Sequence, residues 1–109
     1  MISDDEIHDA LEYLRTNAPK AAQAKANRIY LEEYRKTIKA NGMQKHLDKP
    51  LAAQEREAYQ CKEYADHLLA MQEAIRADEL NRWGMVAATA KIEAWRSFNA
   101  NNRGEGKMR

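Results

Sequence analysis

Disulfides, turns and nucleophiles are all in short supply in these 109 residues, with one cysteine, two prolines and four glycines. The only serines are Ser3 and Ser97. The lone Cys61 excludes an internal disulfide framework and a cysteine-based zinc site. Scarce glycine and proline beside abundant Ala, Glu, Lys, Gln and Arg favour helix over sheet. No G-x-S-x-G elbow, Gly-x-Gly turn or phosphate-cradling glycine loop occurs, so the material for a substrate-binding loop is thin. A non-enzymatic chain with no cofactor and no small-molecule substrate is expected. No apolar run approaches the roughly 18 residues that span a bilayer. No basic-then-apolar leader follows Met1, so neither membrane insertion nor export is expected. The length suits one domain.

Charge is plentiful, at 32% of residues, yet nearly balanced at +1. Its distribution alternates. Residues 1–18 carry five acids and one base, residues 19–46 two acids and seven bases. Residues 47–80 carry eight acids and four bases, residues 81–109 two acids and six bases. Acidic and basic helices lying side by side would produce this pattern. So would two basic segments that share one surface and meet a polyanion.

Start and stop signals divide the chain into helices. Ser3 and Glu6 form an S-x-x-E capping box, and Asp4, Asp5 and Glu6 sit at the positive end of the helix dipole. Ile7, Ala10, Leu11 and Leu14 then recur at helical spacing. A first helix is expected over residues 3–16 and a second over 19–40, with Pro19 in its first turn. Asn41-Gly42 reads as its stop, a Schellman ending in which Met43 touches Ile38. Residues 43–50 read as a connector, Asp48 and Pro50 as the next start, and 52–59 as a separate short helix.

A long last helix follows. Tyr64, Leu68, Met71 and Ile75 open its apolar stripe, and Leu80, Trp83, Ala87 and Ala90 carry it on, shifted around the axis. Met85, Ala88, Ile92 and Trp95 form an adjacent stripe, as in a helix contacted on two sides. Over residues 62–98 such a helix is roughly 55 Å long, against about 34 Å for a compact globule of this size. Either the chain bends near Gly84 or it forms an elongated bundle or hairpin, dimeric along the long helix. Gly84 is a hinge or makes room for a neighbouring Tyr or Trp; room is the preferred reading. Residues 99–109 read as a flexible basic tail bearing Arg103, Lys107 and Arg109, which leaves 1–98 as the domain.

Chemistry-bearing clusters are few. Glu63 and His67 share a helix face but have no matching ligands elsewhere, so they read as a solvated pair and no metal is expected. Cys61 and His67 fall on different faces, so no nucleophile pair forms. The most specific feature is a basic row, Lys25, Arg28, Arg35 and Lys39 at i, i+3, i+10 and i+14, flanked by Lys36 and interrupted by Glu32. Such a row can track a phosphate backbone, and Tyr30 and Tyr34 beside it could stack on bases. The same lysines and arginines also serve as ordinary helix covering.

The stretches Tyr30-Leu31-Glu32-Glu33-Tyr34-Arg35-Lys36, Ala52-Ala53-Gln54-Glu55-Arg56-Glu57-Ala58-Tyr59 and Ile92-Glu93-Ala94-Trp95-Arg96-Ser97 resemble small all-helical proteins encoded by tailed phages and prophages. The resemblance spans about residues 10–100 and brings no catalytic residues. It implies a bacterial-cytoplasm setting, consistent with an unpaired cysteine, and the company of DNA replication and recombination functions. The expectation is therefore an all-α protein of three or four helices, a homodimer. It would be a phage accessory factor that binds either nucleic acid, with Lys25, Arg28, Arg35, Lys36 and Lys39 as phosphate contacts, or a DNA-processing protein. The alternative is an adaptor or inhibitor that binds a host enzyme and touches no nucleic acid.

Overall fold

A computed structural model of the chain describes residues 2–108, with side chains through residue 104. The described residues form three helices and no strand: α1 (Asp4–Gln44), α2 (Leu51–Gln60) and α3 (Lys62–Met108). The Glu6 amide donates to the Ser3 hydroxyl at 3.2 Å, so the expected cap starts α1.

Two expected boundaries are absent. Helix α1 runs through Pro19, where a break was expected, although proline leaves the Arg15 carbonyl without its helical donor. That cost is about 3 kcal/mol. Burial of Ile7, Ala10 and Asn17 ahead of Pro19 works against that cost. Gly42 does not end α1 either, and among the described residues no glycine has a positive φ. A Cβ at Gly42 would lie 3.0 Å from both Cα and Cβ of Ala58, so this glycine lets α1 and α2 approach closely. Turns over residues 45–49 then lead into α2, as the connector reading expects.

Cys61 ends α2 and starts α3. Its backbone is extended, its thiol donates to the Ala58 carbonyl at 3.0 Å, and its sulfur accepts the Tyr64 amide at 3.4 Å. The one cysteine is therefore a helix cap. Helix α3 continues through Gly84 unbroken and extends to Met108; Arg109 and the side chain of Lys107, expected in a basic tail, lie outside the described residues. No proline or left-handed glycine stops it there.

The chain divides into two compact units. One combines the residues up to Ala22 with those from Leu80 onward; the other is Gln23–Glu79. In the first unit, Ile7, Ala10 and Ala88 are buried, and the Tyr13 hydroxyl occupies the space that a Cβ on Gly84 would need. Gly84 thus makes room for a tyrosine. In the second unit, Ala58 and Met71 are buried with His67 and Asp78.

Candidate interaction surfaces

The five basic residues expected to form one open row lie in the Gln23–Glu79 unit, and they do not share one environment. Arg28 is drawn inward. Its guanidinium lies 2.8 Å from Asp78, with Glu32 at 3.6 Å and Glu79 at 3.9 Å. The Asp78 side chain is only 9% exposed. The reason is visible on the helix: Arg28 follows Ala24 by four residues and precedes Leu31 by three. It therefore belongs to the packing stripe itself, where a neighbouring helix supplies the counter-charge. Arg28 is not a free phosphate contact.

Lys39 is also engaged. Its ammonium lies 3.5 Å from Glu55 and 5.0 Å from the centre of the Tyr59 ring. The Tyr59 phenol, foremost, raises the Lys39 pKa above its ordinary value; desolvation opposes this and Glu55 adds to it. Lys36 pairs with Glu33 at 2.9 Å, with both side chains well exposed, so that pair is exchangeable with other anions. Lys25 and Arg35 are exposed.

The fold nevertheless gathers three of the five. Arg35, Lys36 and Lys39 line a cleft of about 330 Å³ together with Tyr59 and Tyr64. Those two rings meet edge to face at 5.1 Å. Tyr59 and Tyr64 come from α2 and the start of α3, so no local pattern around the basic row could announce them. Tyr30 and Tyr34 stack on each other at 5.7 Å. Tyr34 also lies 5.9 Å from His67, which leaves Tyr30, 64% exposed, as the open ring.

His67 corrects the solvated-pair reading. It is buried, and its Nε2 lies 2.6 Å from the Leu31 carbonyl oxygen, to which it donates in the matching tautomer. Glu63 instead faces Lys45 at 3.9 Å. Among the described residues no cluster of three His, Cys, Asp or Glu could hold a metal ion. The same residues include no helix long and apolar enough to cross a membrane.

Apolar surface is the larger feature. No large side chain among the described residues is fully buried, while fifteen large apolar ones are exposed. Leu47 and Leu51, 70% and 65% exposed, flank the turn into α2. On α3 the two stripes part company. Ala88 is buried with Met85, Ile92 and Trp95 half-buried, whereas Leu80, Trp83, Ala87 and Ala90 are exposed.

No protein-family model matches the chain, and no curated protein or solved structure matches it.

Proposed function

We propose that this chain is a non-enzymatic helical interaction protein that works as a homodimer and docks a protein partner through apolar helix surface. One observation carries the reading: among the described residues fifteen large apolar side chains are exposed while no large one is fully buried. Singly exposed apolar residues are ordinary, but a domain that leaves this many outside has surface suited to a partner. The charge pattern agrees. Arg28, Lys36 and Lys39 already face carboxylates, and the Gln23–Glu79 unit carries ten acids and ten bases. The phage resemblance suggests a bacterial cytoplasmic setting and a host or DNA-processing enzyme as the partner.

The test is capture by the tagged protein from bacterial lysate, with and without nuclease. A protein partner retained after nuclease and lost when Leu47 and Leu51 are both changed to Ser supports the reading. Capture that vanishes with nuclease overturns it.

The cleft of Arg35, Lys36, Lys39, Tyr59 and Tyr64 favours a second reading, contact with single-stranded nucleic acid. Cations to follow phosphates and rings to stack on bases are its ingredients. A fluorescence titration at low and moderate salt decides it. Binding that weakens with salt and with Arg35→Glu supports this reading; no binding at low salt removes it.

A further inference from the structure

The exposed stripe on α3 has a finer order than exposure alone. Leu80, Trp83, Ala87, Ala90, Ala94 and Ser97 follow one another at alternating spacings of three and four, and all six are exposed. At 100° per residue they fall within an arc of about 100°. Spacing of this kind is the a/d seam of a coiled coil. Val86 and Phe98, 46% and 43% exposed, border it. The buried Ala88 lies at least about 80° from every position of this arc, so the seam is a second face, although Ala87 also lines a space beside Ala10 and Tyr13 in its own unit.

We infer that this seam pairs two copies of the chain, antiparallel, with Ala87 of one copy against Ala90 of the other. Size ordering along the seam sets the direction. The bulky residues, Leu80 and Trp83, stand at one end, and the small ones, Ala94 and Ser97, at the other. An antiparallel two-fold places Trp83 over Ala94 and Leu80 over Ser97, twice, so each layer holds one large and one small side chain. A parallel pair would stack Trp83 on Trp83 one turn from an Ala87 pair. The tryptophans would then hold the axes apart just where the alanines need them close. A two-fold axis also makes the patch self-complementary, as an isologous interface requires.

Charge allows the same register. Glu93 falls opposite Val86 and Lys91 opposite Gly84, so no like charges meet across the seam. Trp83 is 57% exposed and Leu80 59%, and Arg82 covers the Trp83 ring at 4.4 Å. Withdrawing the seam and its borders from water in both copies removes on the order of 1,000 Å², the lower bound of a specific interface. This inference deepens the dimer part of the proposed function and is independent of the identity of any protein partner.

Light scattering at tens of micromolar is the first test, with about twice the 12.6 kDa chain mass expected. Ala90→Glu puts a carboxylate into the central layer twice and should weaken association at least tenfold with the helical circular dichroism retained. Trp83→Gln should weaken it too. Direction is read by disulfide trapping in a Cys61→Ser background, whose hydroxyl keeps the helix cap. A mixture of Ala87→Cys and Ala90→Cys chains should form the mixed disulfide, and Ala87→Cys alone should not crosslink. A mass of one chain at every concentration overturns the proposal, as does a folded Ala90→Glu chain that still dimerises. Efficient crosslinking of Ala87→Cys alone would show a parallel pair and overturn the antiparallel seam. None of these outcomes depends on nuclease-resistant capture, so the two readings fail separately.

Discussion

The two units solve the same packing problem with different numbers of rods. Around Gln23–Glu79, three helical segments meet, and their neighbours supply what each lacks: Asp78 for Arg28, Glu55 and Tyr59 for Lys39, the Leu31 carbonyl for His67. The unit that joins the residues up to Ala22 to those from Leu80 onward has only two segments. Each rod there has one covered stripe, through Ile7, Ala10 and Ala88, while Leu11, Leu80 and Trp83 stay more than half exposed. Three rods can enclose polar ties, whereas two leave an apolar side that awaits company.

The sharpest way to test that contrast is to cut a tie in the three-segment unit. Asp78→Ala leaves the half-buried Arg28 guanidinium with only the longer contacts to Glu32 and Glu79. We expect a loss of about 2–3 kcal/mol in urea unfolding, because a charge stripped of its buried partner keeps its desolvation cost. The loss should not depend on protein concentration; a change under 1 kcal/mol would mean that the tie is decorative.

A matched pair of glycine substitutions comes next. Gly42→Ala gains roughly 1 kcal/mol of helix propensity, but its Cβ meets Ala58 backbone at 3.0 Å, and a helix must shift to admit it. We expect a net destabilisation of about 1 kcal/mol by thermal or urea melting. Gly84→Ala meets the tip of the Tyr13 side chain instead, which is 38% exposed and free to swing outward. That variant should be neutral or more stable, by at most about 1 kcal/mol. Equal costs at the two sites would erase the distinction drawn between the units.

The smallest expected effect is on the surface. Arg15 lies 2.8 Å from Glu12, and its hydrogen bond, more than its charge alone, lowers the Glu12 pKa from its ordinary 4.5. A lowered carboxylate pKa contributes stability above the ordinary value, and the contribution is lost as pH falls through the lowered one. Arg15→Ala should return Glu12 toward 4.5 in an NMR titration. It should leave the melting temperature at pH 7 unmoved, since both side chains are open to water.

Much of the helical framework was legible from spacing and punctuation. The Ser3 cap, the turn before Pro50 and the separate short α2 all follow from local chemistry. Pro19 and Gly42 misled because both are helix breakers by propensity, while flanking packing and close approach to Ala58 override that preference here. The basic row was legible as a row. That Arg28 turns toward Asp78, fifty positions away, was not. Nor were Tyr59 and Tyr64, which join Arg35, Lys36 and Lys39 only because α2 folds back against α1.

Sequence alone thus determined that the chain is helical and where amphipathic stripes run, since periodicity, caps and propensity act within a few residues of one another. Tertiary structure decided which stripe on α3 is covered, which cations face acids and what the glycines are for. Those outcomes depend on which distant segment arrives as a neighbour, and desolvation and close contact act only once it has arrived.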